Sequence, residues 1–457
     1  MARIHAFDDT IVALATPQGV SAIAVIRLSG SQAIGITQKI FKGKNLESAS
    51  SHTVHFGTLA TADRTLDEVL VTVFRGPHSF TREDSVEISC HGSPLIVKEI
   101  MKALVAQGAR LADPGEFTKR AFLHGRFDLA QAEAVADLIH AETDNARQAA
   151  LNQMKGGFSR EIKALREELI HFASLIELEL DFGEEDVEFA KRDELRVLIR
   201  QLQSHIQPLI QSFDHGNVIK NGIPTVIAGK PNAGKSTLLN VLLNEERAIV
   251  SEIPGTTRDV IEDEMVLGGI SFRFIDTAGL RDTTDTIESI GVQRTREQMN
   301  RAALILYVFD LSTATSAEID EQEAELKQLG KAILKVGNKI DRANPAWVES
   351  LRARDFVFIS ASQREGIESL KARILNTFQV DRVKPGDVMV TNLRHYENLR
   401  QTNAALQRVL DGMDQQVTGD FLAMDIRQAL HFLGEITGEI TTDDLLTNIF
   451  SKFCIGK

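Results

Sequence analysis

Cysteine is nearly absent from this chain: its 457 residues include two, Cys90 and Cys454. Two thiols make no disulfide framework, so a reducing compartment, the cytoplasm, is expected. Apolar runs are short, and none approaches the ~20 residues of a membrane-spanning helix. The opening Met1-Ala-Arg-Ile-His-Ala-Phe-Asp-Asp9 has no secretory pattern, and no membrane partner is expected. Positive charge is in deficit, 51 Lys and Arg against 64 Asp and Glu, a formal net charge of −13. That balance argues against a general nucleic-acid coat and leaves any RNA contact to local basic patches. No internal repeat of solenoid length is visible. Glycine and proline are almost missing between Leu129 and Gln207, apart from Gly156-Gly157 and Gly183. A stretch so poor in breakers is expected to be helical.

At this length the chain should hold two or three domains, each with ample core. The first hundred residues read as strands and turns. Thr10 to Ala15 and Ser21 to Leu28 are short apolar runs bounded by Pro17, Gly19 and Gly30, and Phe56 to Leu59, Glu68 to Phe74 and Ser85 to Ser89 continue the pattern. A helix is expected over Ile96 to Gln107. The texture then changes. Ile162, Leu165, Leu169, Phe172, Ile176 and Leu180 repeat at spacings of three and four, and Leu129 to Ile139 and Leu195 to Ile210 behave alike, which describes long amphipathic helices. Helical texture resumes after Pro385, through Leu393 to Leu410 and Phe421 to Phe432. Between Gly216 and Val380 a different domain interrupts it.

That inserted region opens on Gly229-Lys-Pro-Asn-Ala-Gly-Lys-Ser236, a phosphate-binding loop with G-x-x-x-x-G-K-S spacing. Ile223 to Ala228 reads as a buried strand before it and Thr237 to Leu243 as a helix after it. Backbone N–H groups and the positive end of the helix dipole would face one anionic cavity. Asn232, Ala233, Gly234 and Thr237 belong to the same cradle; Lys235 would reach the terminal phosphates, and the Ser236 hydroxyl would hold magnesium.

The base is indicated about a hundred residues on. Lys331 to Val336 reads as a strand ending in Gly337-Asn-Lys-Ile-Asp341. A carboxylate at Asp341 can accept both N1–H and the exocyclic amine of guanine, a donor pair that adenine lacks, with Asn338 and Lys339 beside it. Ser360-Ala361-Ser362, after the strand Phe356 to Ile359, would touch guanine from its other side. Asp276-Thr277-Ala278-Gly279 ends another strand; the aspartate can hold magnesium through water and the Gly279 N–H can meet the γ-phosphate. Pro254-Gly-Thr-Thr-Arg-Asp259 offers Thr257 as the second hydroxyl ligand of magnesium. Five such pieces in this order describe a GTP-binding domain.

Where many small GTPases place a water-orienting glutamine after Asp-x-x-Gly, this chain has Leu280, which cannot act so. Glu288 is a candidate water-positioner, and Arg281 or Arg258 candidate charge-neutralising fingers; an exposed polar loop is the equal alternative from these residues alone. Two other patterns are discounted. Asp181-Phe-Gly183 copies a kinase triplet without the loops that give it meaning, and Glu184-Glu-Asp-Val-Glu188 reads as a solvated acidic turn.

The order of these motifs inside a helical region, behind a strand-rich start and before the ending Phe453-Cys-Ile-Gly-Lys457, resembles the MnmE (TrmE) family of tRNA-modification GTPases. Ser79-Phe-Thr81, Glu83-Asp84, Glu87, His91-Gly92, Pro114-Gly-Glu-Phe117 and Phe127-Asp-Leu-Ala-Gln-Ala-Glu-Ala134 are similar to stretches of that family outside the GTPase motifs. The resemblance spans the whole chain.

It implies a multidomain α+β and α/β protein: a strand-rich tetrahydrofolate-binding and dimerisation domain over 1–121, a discontinuous helical domain over 122–216 and 383–457, and an inserted Ras-like P-loop GTPase domain over 217–382. It implies 5-formyl-tetrahydrofolate as one-carbon donor at Arg27, Glu87, Arg126 and Lys457. It further implies GTP hydrolysis with Mg2+ on Ser236 and Thr257, Lys235 on the phosphates, and K+ on Asn232 and the carbonyls of Ser251, Ile253 and Thr256. Glu288 falls on the family's water-orienting acid. The destination implied is C5 of the wobble uridine of certain tRNAs, gaining an aminomethyl or carboxymethylaminomethyl group, with the chain a homodimer joined to the FAD-binding partner MnmG in a heterotetramer. Cys454 is a weaker candidate for thiolate chemistry on the uridine. The rival reading is a ribosome-assembly or regulatory GTPase switch without folate chemistry, which would leave Arg27, Glu87 and Lys457 dispensable.

Overall fold

The computed structural model describes residues 9–181, 192–246, 263–275, 297–378 and 383–456. The chain begins with a seven-stranded sheet of order β3-β4-β5-β6-β2-β1-β7. Its strands are β1 (Ile11–Leu14), β2 (Ser21–Ser29), β3 (Phe41–Lys42), β4 (Thr53–Ala60), β5 (Thr65–Phe74), β6 (Ser85–Gly92) and β7 (Arg110–Leu111). All neighbours are antiparallel except β1 and β7.

Alternation decides which side is dry. On β5, Val69, Val71 and Val73 are buried while Leu70 between them is exposed, the period of two expected of a strand with one covered face. Helices α1 (Ala33–Ile40) and α2 (Pro94–Ala106) cover that face, packing Ile36, Ile100 and Leu104 on Ile26, Leu28, Val71 and Ile88. The opposite face holds Arg27 directly across from Glu87 in the β2–β6 register.

The helical body starts with α3 (Glu116–Leu123), α4 (Leu129–Ile139), α5 (Asp144–Met154), α6 (Gly157–Asp181), α7 (Arg192–Gln211) and α8 (Phe213–Asn221). Asp128 and Gln131 close a capping box on α4, and the Thr143 hydroxyl caps α5 through the N–H of Ala146. Gly156, at φ +76°, turns the chain from α5 into α6; a side chain there would strike the Gln131 amide. Gly216, the expected point of entry into the inserted domain, sits inside α8, packed on the Val390 carbonyl.

A second sheet of six strands follows, order β13-β12-β11-β8-β10-β9. In chain order it is built from β8 (Ile223–Ala228), α9 (Lys235–Glu246), β9 (Asp263–Leu267), β10 (Ile270–Phe274), β11 (Leu304–Asp310), α10 (Ser316–Lys327), β12 (Ala332–Asn338), α11 (Pro345–Leu351), β13 (Phe356–Phe358) and α12 (Ile367–Thr377). It is parallel save for the β9–β10 hairpin. Its central strand β11, Leu-Ile-Leu-Tyr-Val-Phe-Asp, is buried along six of seven residues, as a strand covered on both faces requires.

The chain then returns to the helical body with α13 (Leu393–Asp414), α14 (Gly419–Thr437) and α15 (Asp443–Phe450). Ile162, Leu165 and Leu169 of α6, Ile199 and Leu202 of α7, Leu406 and Val409 of α13 and Ile426 and Leu433 of α14 share one core. The two halves of this body, some two hundred residues apart in sequence, are therefore one packed unit, and the fold is multidomain, α+β and α/β.

Candidate functional site

Strand β8 runs into the phosphate loop, which opens helix α9 at Lys235. Two of its glycines are required by space as well as by backbone angle. At Gly229 (φ +142°) a Cβ would lie 2.2 Å from the Val308 carbonyl, and at Gly234 (φ +93°) 2.2 Å from the Asn338 amide nitrogen. Asn232 takes φ +61°, which asparagine tolerates better than most residues. Lys235 Nζ donates to the carbonyls of Gly229 and Lys230, each at 2.9 Å. Burial draws its pKa below the ordinary lysine value, so it holds its proton less firmly until an anion is near. Ser236 and Thr237 follow in the first turn of α9, where the backbone N–H groups and the helix dipole favour a phosphate.

The base motif is tied to this loop by one buried side chain. Asn338 donates from Nδ2 to the Ala233 carbonyl at 2.8 Å, while its Oδ1 accepts from the N–H groups of Ala361 (3.0 Å) and Lys339 (2.8 Å). The phosphate loop, the Asn-Lys-x-Asp stretch and the Ser360-Ala361-Ser362 loop thus meet at one amide. Lys339, itself at φ +65°, pairs with Asp310 at the end of β11, Nζ to Oδ2 2.6 Å. A hydrogen bond with Ser360 holds the Asp341 carboxyl below its usual range, so it stays ionised and fit to accept two donors from a base. Asp310 was not legible as a site residue, because β11 ends in no motif; its signal is a lone acid closing a fully apolar run.

Several expected residues lie outside the described residues: Ser251, Ile253, Thr256, Thr257, Asp276, Thr277, Ala278, Gly279, Glu288 and Lys457, with Arg258 and Arg281. Of the expected potassium ligands Asn232 is described; of the expected magnesium ligands, Ser236. The phosphate loop and the base motif, joined at Asn338, fit a guanine nucleotide.

The expected folate residues Arg27, Glu87 and Arg126 line one cavity of about 570 Å³ on the open face of the first sheet, with Phe74, Ser79 and Phe80. That size suits a small organic ligand. Arg27 donates from Nε and Nη2 to Glu87 Oε1 at 2.9 and 2.7 Å and from Nη1 to the Gly456 carbonyl at 3.4 Å, so the carboxy-terminal segment reaches the cavity wall. Gly456 fits there because a Cβ would lie 2.4 Å from the Leu14 carbonyl. The guanidiniums of Arg27 and Arg126 both pack on the Phe80 ring, 5.4 and 5.2 Å from its centroid. Cys454 is exposed and is not among the lining residues; its carbonyl accepts from the Gly115 N–H at 3.4 Å. Cys90 is buried beneath the sheet, where burial pushes its thiol up to about 11 and leaves it inert.

Below the cavity lies a charged layer of which sequence spacing reveals one pair, Glu116 and Arg120 at i,i+4 on α3. Arg120 is fully buried and bonds Asp9 (2.6 Å), Glu116 (2.9 Å) and Glu83 (3.2 Å). Glu83 in turn accepts from Ser29 Oγ at 2.7 Å, and Ser29 meets Thr81, part of the cavity wall, at 2.5 Å. Such a satisfied network fixes the wall above it. Thr81, Glu83 and Glu116 fall in the stretches that resemble the family, whereas Arg120 and Asp9 fall in no motif.

Known proteins agree with this architecture. A family model described as "GTP-binding protein TrmE N-terminus" matches residues 10–126, and one described as "MnmE helical domain" matches residues 129–454. A curated protein of Cytophaga hutchinsonii named tRNA modification GTPase MnmE is 62% identical over 450 residues, 98% of this chain and 98% of its own. Proteins of the same name from Christiangramia forsetii and Flavobacterium psychrophilum are 50% and 48% identical, covering 98% and 99% of this chain and 99% and 100% of their own. The solved G domain of the T. maritima FeoB iron transporter is 24% identical over 34% of this chain and 98% of its own with a TM-score of 0.26, a likeness that carries no weight. The chain belongs to the MnmE (TrmE) family.

Proposed function

We propose that this chain is a magnesium- and potassium-dependent GTPase that, with an FAD-binding partner, MnmG, adds an aminomethyl or carboxymethylaminomethyl group at C5 of the wobble uridine of certain tRNAs, using a folate one-carbon unit. The observation that carries the reading is the coexistence, on a chain of this family, of a guanine-suited phosphate cradle and a separate cavity walled by Arg27, Glu87 and Arg126. In this reading the boundaries are 1–121, 122–216, 217–382 and 383–457, with the GTPase domain inserted between the two helical parts.

At the nucleotide, Asp341 would select guanine, and Asn338 would keep the base seat in register with the phosphates. Lys235 would exchange its bonds to the loop carbonyls for oxygens of the terminal phosphates, and Ser236 with Thr257 would hold magnesium. Asn232 with the carbonyls of Ser251, Ile253 and Thr256 would hold potassium, which would supply the charge neutralisation that an arginine finger supplies in other GTPases. Glu288 would orient the water whose oxygen bonds to the γ-phosphorus as the β–γ bridging bond breaks, giving GDP and phosphate. At the other cavity, Glu87 Oε2 faces no donor among the described residues and suits the amide and amine edge of a pterin.

The open sheet face supports a homodimer. Phe56 and Leu70 pair across β4 and β5 and are 67% and 47% exposed, beside Val54 at 57%; a solvent-facing apolar strip of this kind marks an interface. The excess of negative charge supports an FAD-binding partner, MnmG, that brings basic surface to the tRNA. A cytoplasmic location fits two unpaired thiols and the absence, among the described residues, of any helix long and apolar enough to cross a membrane.

GTP turnover compared in potassium and in sodium tests the nucleotide half: turnover should fall at least ~10-fold in sodium, the scale on which one lost charge-stabilising contact slows such a reaction. Equal rates would remove the cation from the mechanism.

A further inference from the structure

At one end of the cavity two guanidiniums stand without an acid. Arg82 donates from Nη1 to the His124 carbonyl at 3.0 Å, and the same nitrogen lies against Gly125, the residue before Arg126. Arg126 donates from Nη1 to the Ser79 carbonyl and packs against the rings of Phe80 and Phe127, 5.2 Å from each. Both arginines line the cavity. Their other N–H groups meet no carboxylate among the described residues, because the nearby acids are occupied. Glu83 serves Arg120 and Ser29, Asp84 accepts from the Gly76 N–H, and Glu87 is paired with Arg27. Two like charges side by side repel, and the pKa of Arg126 is drawn down by partial burial and then by the Arg82 charge.

The backbone points the same way. Arg82 holds φ +64°, a left-handed conformation that a side-chain-bearing residue adopts at a penalty. The loop that imposes it is fixed on both flanks: Ser79 Oγ donates to the Glu83 carbonyl, and His124 Nδ1 meets the Thr81 carbonyl at 2.7 Å. A strained residue held in place by its neighbours, with its charge aimed over a cavity and unmatched, is an arrangement completed by an anion.

We propose that Arg82 and Arg126 together form an anion clamp at the mouth of this cavity, which takes the glutamate carboxylates of the folate tail and makes affinity depend on how many the tail carries. The proposal rests on the folate reading of the cavity. The ligand would lie with its donor-bearing ring toward Glu87 and its acidic tail toward the clamp, the two ends separated by the Phe80 ring. Planar guanidiniums give carboxylates two parallel hydrogen bonds, stronger than neutral ones, and each added glutamate brings another charge within reach.

The test titrates the full-length protein by calorimetry with 5-formyl-tetrahydropteroate, 5-formyl-tetrahydrofolate and its triglutamate. Wild type should bind them in rising order of affinity. Arg82→Gln should weaken the monoglutamate about tenfold and the triglutamate more, and the pteroate by no more than about twofold, on the usual scale of a charge-assisted hydrogen bond. Arg82→Gly should also lose the dependence on tail length, yet melt at a higher temperature, since glycine takes φ +64° freely. An equal loss for all three ligands, an unchanged dependence on tail length, or a lower melting temperature with unchanged binding would each overturn the clamp. So would weakened binding of unmodified tRNA with the folate series intact, which would identify the anion as a phosphate. Failure of wild type to bind any of the three would overturn the folate reading itself, and the clamp with it.

Discussion

Asn338 shows how one residue can serve geometry and selectivity together. Its amide touches the phosphate loop, the base motif and the Ser360-Ala361-Ser362 loop at once, and a Gly234 Cβ would collide with it. Gly234 is thus fixed by its neighbour as well as by its own φ. In the proposed reading the guanine choice falls to Asp341, whose ionised form is favoured by Ser360. Asp341→Asn should weaken GTP and favour xanthosine triphosphate. Two hydrogen bonds to a charged acceptor carry about 3 to 6 kcal/mol, on the order of 10² to 10⁴ in relative affinity. Competition of the two nucleotides against a fluorescent analogue checks this, and an unchanged preference for GTP would remove Asp341 from the base seat. Residues of this kind were legible in advance because a motif fixes chemistry by spacing. Arg120 was not: its neighbours Asp9, Glu83 and Glu116 come from three separate stretches, and only folding brings them together.

At the scale of elements, periodicity found the long helices to their ends or nearly so, since Leu129 to Ile139 is α4 and Leu393 is the first residue of α13. It missed α1, a short helix with a glycine inside and no side-chain cap, and β11, whose unbroken apolar run has no alternation to mark it. Both are made by what packs on them, so tertiary context decides. The joint between the two helical halves is likewise invisible in sequence. Glu133 of α4 accepts from Arg394 Nη2 at 2.8 Å and lies 2.7 Å from His395 Nε2, both residues of α13. Burial holds the His395 pKa below its ordinary 6.5, with Arg394 and Lys220 adding to the effect and Glu133 opposing it. The Arg394 charge and the hydrogen bonds from His395 and Arg394 hold Glu133 below the usual carboxylate range despite its burial.

Both shifts are downward, so the unfolded chain binds more protons and stability must fall as the pH drops. For His395 the loss begins below about pH 6.5 and for Glu133 below about pH 4.5. The slope contributed by His395 is at most about 1.4 kcal/mol per pH unit. Calorimetric melting of the helical transition at pH 7 and pH 5.5 should show the decline, and His395→Gln should flatten it. A decline that survives this substitution would place the proton elsewhere.

For the whole molecule, the arrangement separates two chemistries by a helical body. The nucleotide domain leaves that body after α8 and rejoins it before α13, and the rejoining segment is gripped by α5. Asn152 donates to the carbonyls of Lys384 (2.8 Å) and Asp387 (3.2 Å) and accepts from the Gly386 N–H (3.1 Å), while Asn145 accepts from the Val383 N–H (3.2 Å). The rejoining segment is thus tied to α5, while α13 and α14 share one core with α6 and α7 and lead to the carboxy-terminal segment beside Arg27. The two family models match residues 10–126 and 129–454, so the cavity and the nucleotide domain lie on one chain of the family. The most direct measurement is mass spectrometry of wobble uridines in tRNA from cells lacking this chain, restored with wild type, Asp341→Asn or Arg27→Ala. The C5 modification should disappear without the chain, return with wild type, and return with neither variant. Full modification in cells without the chain, or full restoration by both variants, would contradict the reading that the GTPase and the folate cavity act together on tRNA.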